Sequence, residues 1–321
     1  MLKHILWLFL ITSLLKTPQL IALEVSFGSF KVINFESEVI GDRELIIYRP
    51  NESQISDDTK FLIFQDGQML FDAEATWNNE EWELDETFSD LSEIGIEPNV
   101  VIIGVKSANK SGKGFFDNTN RYLEYFPKQA ISQMKPGFVR FGYKRMGEKT
   151  HYNYLDFLTG ELIPFLQTEF GIRLNRENMG IIGASMGAIA ALNAILEHPE
   201  LFGFAGCFST HWIGIKPLEY LTLPFRKKIQ GDQTTIDSII SYVKARSKNL
   251  DSHYIYFDRG TEGLDSAYED AQNQIDLIFE SERFDYMSLV FEGEGHYERF
   301  WAKRFKSFFL DLYSPRSIFV V

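Results

Sequence analysis

The stretch Asn178–Glu197, NMGIIGASMGAIAALNAILE, decides how this chain folds. Met179–Ile182 is a short, continuous apolar run of the kind that forms a strand buried on both faces. Ala188–Glu197 is rich in Ala, Leu and Ile at helical spacing. Between them, Gly183-Ala184-Ser185-Met186-Gly187 is a G-x-S-x-G pentapeptide in the strand–turn–helix setting that gives the motif its chemical meaning. The turn is tight, so strand and helix approach closely and leave no room for side chains at the flanking glycines. It lifts the Ser185 hydroxyl clear of the sheet and points the Met186 amide toward any negative charge that develops beside it. Ser185 is therefore the candidate nucleophile.

Outward from this turn, β-rich runs alternate with helical stretches. Further strands are expected at Lys60–Gln65, Val100–Val105, Phe204–Phe208, Tyr254–Asp258 and Met287–Phe291. Helices are expected at 153–169, 186–197, 235–247, 266–282 and 297–312. Upstream, Phe27–Glu36 and Glu44–Tyr48 suit a hairpin turning near Gly41-Asp42. Alternation of this type predicts an α/β class: a mostly parallel central sheet with helices on both faces. No repeat, low-complexity tract or Pro/Gly-rich linker marks a second domain, so 23–321 reads as one. Residues 106–150 and 209–234 read as long insertions at strand ends, where open α/β sheets bind their ligands.

The 321 residues are 45% hydrophobic and 15% aromatic, which suits a large packed core and not a disordered chain. Forty-five acidic residues against 32 basic ones give a net charge of −13, which argues against nucleic acid or anionic lipid as a partner. The one cysteine, Cys207, excludes an internal disulfide and any multi-Cys zinc site, and reads as a small buried hydrophobe. Met1–His4 is a short basic start followed by the apolar run Ile5–Leu15. That run is too short to span a bilayer and reads as a secretory signal peptide over residues 1–22, cut after Ala22. Its removal would take away Lys3 and Lys16 and no acid, making the mature chain more negative still.

A serine hydroxyl needs a base, and histidine is the usual one. Of six histidines only His296, in Glu294-Gly295-His296, lies late in the chain just after the last expected strand. The order Ser…Asp/Glu…His therefore selects it. His4 falls in the signal peptide and His198 precedes Pro199 at a helix end. His151 and His253 are expected at solvated element boundaries, and His211, after a strand end, is a candidate pocket residue. The acid should follow the strand Tyr254–Phe257. Asp265, Glu262 and Asp258 are the candidates in that order, because Asp265 opens the following helix and could reach the far imidazole nitrogen.

Several further stretches carry a resemblance. They are Phe64-Gln65-Asp66-Gly67-Gln68-Met69-Leu70-Phe71-Asp72, Glu81-Trp82-Glu83-Leu84-Asp85-Glu86, Asn120-Arg121-Tyr122-Leu123-Glu124-Tyr125-Phe126-Pro127 and Glu161-Leu162-Ile163-Pro164. Toward the C-terminus follow His198-Pro199-Glu200-Leu201-Phe202, Phe257-Asp258-Arg259-Gly260-Thr261, and Gly293–His296 with Trp301. With the Ser185 pentapeptide, and over roughly residues 40–312, the chain resembles the esterase family of α/β-hydrolases. That family includes esterase D-like, feruloyl, acetylxylan and enterochelin esterases and mycolyltransferases.

The resemblance implies an α/β-hydrolase fold with Ser185 as nucleophile, His296 as base and backbone N–H groups of Gln68 and Met186 as an oxyanion hole. Gly260 to Asp265 is longer than the family's shortest Gly-Thr-x-Asp forms, which leaves Asp265, Glu262 and Asp258 as rivals for the acid. Arg121 and Tyr125 become candidate substrate contacts, with an ion pair from Arg121 to Glu124 as the structural alternative for the arginine. Trp82, Trp212 and Trp301 are core or pocket lining. The implied chemistry is hydrolysis of a carbohydrate-linked or siderophore-like ester, with no metal or organic cofactor. Acyl transfer to a sugar or lipid alcohol, or a non-catalytic binding protein on the same fold, are the competing expectations.

Overall fold

The computed structural model describes residues 25–108, 119–147, 153–214 and 230–312. The signal-peptide residues, His151 and parts of both insertions lie outside that set. Eight strands form one sheet: β1 Ser29–Phe35, β2 Arg43–Arg49, β3 Lys60–Gln65, β4 Val100–Val105, β5 Met179–Ala184, β6 Phe204–Phe208, β7 Tyr254–Gly260 and β8 Asp285–Phe291. Their order is β1-β2-β4-β3-β5-β6-β7-β8. β1 pairs antiparallel to β2, as the hairpin reading requires, and β2 antiparallel to β4; every other neighbour is parallel.

Strand alternation divides the core between two faces. Phe61, Ile63, Val101, Ile103, Met179 and Ile181 point to one side, and Leu62, Phe64, Ile102 and Ile182 to the other. The first face is covered by α2 Thr119–Tyr125, α3 Lys128–Gln133, α4 Phe138–Gly147, α5 Tyr154–Phe157, α6 Ile163–Phe170, α7 Met186–Glu197, α8 Gln233–Arg246 and α9 Glu269–Glu282. The second is covered by α1 Leu84–Glu93 and α10 Glu298–Leu312, through Leu84, Phe88, Leu91, Trp301, Phe305, Phe308 and Phe309. The central strands β4, β5 and β6 are thus dry on both faces, as parallel strands without polar alternation require, while the edge strands β1 and β8 are partly exposed. Cys207 is wholly buried in β6. No helix among the described residues is long and apolar enough to cross a membrane.

Four features differ from expectation. The described part of 106–150 is not a plain insertion: it folds into α2, α3 and α4, whose Tyr122, Leu123, Phe126, Ala130 and Ile131 pack on the core. The helix expected at 153–169 is interrupted by a π-helical turn, Leu158–Leu162, between α5 and α6. Helix α1 went unforeseen, although Leu84, Phe88 and Leu91 recur at helical spacing. His253 is also not solvated. It is 3% exposed, with Nδ1 accepting from the Asp251 N–H at 2.9 Å and Nε2 facing the Pro199 carbonyl at 2.7 Å.

The order of strands brings the loops after β3, β5, β7 and β8 to one edge of the sheet. β3 and β5 are direct neighbours, so the Asp66-Gly67-Gln68 turn lies beside Ser185.

Candidate active site

Ser185 is the residue between β5 and α7, with φ 57° and ψ −120°. A non-glycine residue tolerates that conformation only where its surroundings hold it. Here the Ser185 N–H donates to the Phe208 carbonyl at 2.9 Å and its carbonyl accepts from the His211 N–H at 3.2 Å. At Gly183 a Cβ would sit 2.4 Å from the Gly187 carbonyl carbon, so backbone, not a yielding side chain, forbids it. Gly183→Ala is expected to cost about 1–3 kcal/mol, the usual range for overpacking, read as a lower urea midpoint. It should also depress activity, because the turn that aims Ser185 has to shift.

The Met186 amide opens α7 and so has no acceptor within the helix. Facing it, Gly67–Met69 forms a 3-10 turn after Asp66, whose φ is 56°. Gly67 is needed here, since a Cβ would lie 2.5 Å from the Gly104 carbonyl carbon of β4. The turn is pinned through Gln68, whose Nε2 donates to Ser107 Oγ at 2.9 Å and whose Oε1 accepts from the Ser107 N–H at 3.2 Å.

His296 and Ser185 line the same cavity of about 390 Å³, together with Gln65, Asp66, Gln68 and Trp82. The imidazole stands between the Trp301 ring, perpendicular at 4.9 Å, and that of Tyr268 at 5.7 Å. Its Nδ1 meets Asp265 Oδ1 at 2.6 Å. Asp265 is fully buried, and burial alone would raise its pKa. The bonds to His296, to the Ser209 hydroxyl and to the Gly260 N–H outweigh that and hold it below the usual carboxylate range. Glu262 is exposed, and the carboxylate that meets His296 Nδ1 is that of Asp265. Asp258 turns away: its Oδ1 accepts from the Ser209 N–H at 2.9 Å and its Oδ2 from the Tyr256 hydroxyl at 2.9 Å. Burial pushes it up to about 6.

Residues 37–312 match the family described as Putative esterase. The chain belongs to that family. Its fold is that of the α/β-hydrolases. Solved structures of similar fold include a ferulic acid esterase (15% identity, 88% of this chain and 96% of that one, TM-score 0.58). The enterobactin esterase FES from Shigella flexneri aligns at 16% identity and TM-score 0.59 over 89% of this chain, but only 59% of its own length. An S-formylglutathione hydrolase from Agrobacterium tumefaciens aligns at 15% identity over 90% and 96% of the two chains, with TM-score 0.58. In sequence, the chain is 32% identical over 116 residues to the uncharacterized protein YbbA of Bacillus subtilis, a match spanning 36% of this chain and 39% of that protein.

The other candidate residues divide. Trp82 lines the cavity, yet it is 2% exposed and packs edge-on against Phe64 and Phe208, so it is floor and core at once. Trp301 shares that position, while Trp212 is core, its Nε1 donating to Gln272 Oε1 at 2.9 Å. Arg121 lines the cavity but does not pair with Glu124. Its Nε and Nη2 grip both oxygens of Asp66 at 2.6 Å each, whereas Glu124 takes Arg43 at 2.6 Å. This fork fixes the Asp66-Gly67-Gln68 turn, a bidentate pairing that a lysine could not reproduce.

Tyr125, expected to touch substrate, instead lies beneath that turn. It is 1% exposed, absent from the cavity wall, and accepts the Asp66 N–H at 3.2 Å. His211 is likewise behind the wall and not in it. Its Nδ1 bonds the Tyr268 hydroxyl at 2.8 Å, and burial, then the neighbouring His296, lowers its pKa to about 3, which keeps it neutral. Ser209 and Arg304, in contact behind Asp265, were not anticipated; nothing local in the sequence marks them.

Proposed function

We propose that this protein hydrolyses a carboxylic ester through an acyl-enzyme on Ser185. His296 takes the hydroxyl proton at Nε2 as Ser185 Oγ attacks the carbonyl carbon. The oxyanion is held by the backbone N–H groups of Gln68 and Met186. The tetrahedral species collapses, the ester C–O bond breaks, and His296 returns the proton to the leaving alcohol. Water, deprotonated by the same imidazole, then releases the acid. Asp265 holds the imidazole with hydrogen on Nδ1 and offsets the charge it acquires. The observation carrying this reading is the 2.6 Å bond from His296 Nδ1 to Asp265 Oδ1, with the imidazole and Ser185 facing one cavity.

The substrate we infer is an ester of a polyhydroxylated, carbohydrate-linked or siderophore-like alcohol. Its support is a wall furnished with Gln65, Gln68, Asn78 and Ser107, and Trp77 at the rim, 72% exposed and shaped for stacking on a ring. The similarity to a ferulic acid esterase and an enterobactin esterase agrees with that class. Export from the cell is proposed on the basic start and apolar run of residues 1–15.

A fluorophosphonate probe is expected to modify Ser185 and no other residue, read by peptide mass spectrometry; a folded protein left unmodified overturns the acyl-enzyme. A panel of acetyl, feruloyl and catecholoyl esters, with glucosyl and lipid alcohols supplied as acceptors, identifies the substrate. Product esters of the added alcohol would show transfer in place of hydrolysis.

A further inference from the structure

We propose that Arg304 is a positioning residue of the esterase, clamping Asp265 behind His296 through a one-way chain of hydrogen bonds that it shares with Asp258 and Ser209. The inference rests on the acyl-enzyme reading above and adds to it the group that holds its acid.

Arg304 sits on α10 and is 1% exposed. Its Nε donates to Glu294 Oε2 at 2.7 Å, and its Nη1 donates to Asp258 Oδ1 at 3.1 Å and to Ser209 Oγ at 3.2 Å. The same Nη1 is 3.9 Å from Asp265 Oδ2, and the guanidinium lies over the Phe291 ring at 4.7 Å. Ser209 Oγ also receives the Trp301 Nε1–H at 2.9 Å. Arginine and indole nitrogens only donate. With two donors arriving, the single hydroxyl hydrogen of Ser209 must leave toward Asp265 Oδ2, 2.7 Å away. The Gly260 N–H reaches that same oxygen at 2.7 Å. Oδ2 is thus saturated with donors, and Oδ1 is left to accept from His296 Nδ1. The polarity runs from Arg304 and Trp301 through Ser209 and Asp265 to the imidazole. It leaves the Nε2 lone pair for the Ser185 proton.

Charge gives the arrangement its second property. Asp265 and Asp258 are two buried carboxylates joined to one serine, and Arg304 is the cation between them. Glu294 shares that cation and is itself met by Lys303 at 3.0 Å; Tyr256 faces Asp258, and Tyr268, His211 and Glu298 face His296. Taking away the cation makes the acids around it harder to ionise, while taking away Asp258 does the reverse. Asp265 bears directly on His296 Nδ1 at 2.6 Å, so the acid limb of turnover follows the ionisation of this buried cluster.

The test is the pH profile of kcat/KM for p-nitrophenyl acetate in the full chain. Arg304→Met is expected to lower kcat at least tenfold and move the acid limb up by about one pH unit. Asp258→Asn should move it down, the double variant should bring it back toward wild type, and Arg304→Lys should restore the limb better than kcat. A merely structural role would lower the folded fraction and leave the limb in place. Limbs of folded Arg304→Met and Asp258→Asn that superimpose on wild type overturn the proposal; if Arg304→Met does not fold, Asp258→Asn alone decides. A wild-type protein without turnover, or unlabelled at Ser185, would instead sink the ester-hydrolysis mechanism itself.

Discussion

Ser185→Ala is expected to reduce p-nitrophenyl acetate turnover by roughly 10⁶-fold, the scale seen when a serine hydrolase loses its nucleophile. At 1.36 kcal/mol per tenfold that is about 8 kcal/mol of transition-state stabilisation. The loss should fall on kcat, because the cavity walls are untouched and substrate still binds. Stability should hardly change. Alanine meets the same backbone demand at φ 57° as serine does, and the hydrogen bonds that secure the turn are main-chain ones to Phe208 and His211. Fluorophosphonate labelling should vanish in parallel, while thermal unfolding coincides with wild type. Substantial turnover surviving in the pure variant would mean that the reaction runs through another group.

The second large effect is expected at Asp265. Asp265→Asn should lower kcat by about 10⁴-fold, because an amide can present N–H to His296 and favour the tautomer with hydrogen on Nε2. That tautomer cannot accept the Ser185 proton. The amide also cannot serve as acceptor for Ser209 Oγ, Gly260 N–H and His296 together, so the buried cluster loses at least one bond. Glu262→Gln is the matched control. Its carboxylate is exposed, so its rate should stay within about twofold of wild type, as surface changes usually do. Equal losses in both variants, or a larger loss at Glu262, would reassign the acid.

Strand and helix placement was largely legible because buried parallel strands and the helices over them leave local signatures. Lys60–Gln65, Val100–Val105 and Phe204–Phe208 are bounded in the structure as their apolar runs suggest. Helices α2 to α4 were obscured because their stretch mixes glycine, lysine, asparagine and aromatics, and their formation depends on docking Tyr122, Leu123 and Ile131 against the first face of the sheet. The two rivals for the acid illustrate a different limit. Asp258 and Asp265 both follow or end β7, and nothing in their immediate sequence states which one turns to the imidazole. The fold answers by giving Asp258 to Ser209, Tyr256 and Arg304, and Asp265 to His296.

By itself, the sequence determined the alternating architecture, the sharp turn that carries Ser185, and the late position of His296. These are encoded within a few residues, by hydrophobic period, glycine at points of close approach, and chain order. Only the tertiary structure decided that Arg121 belongs to Asp66 and not to Glu124, that Tyr125 and His211 stand behind the cavity wall, and that Arg304 lies beside Asp265 and Asp258. Each of those outcomes depends on how strand order and the docking of helices α2 and α10 bring distant side chains together. A buried charge takes whichever opposite partner that packing supplies, and spacing along the chain carries no record of it.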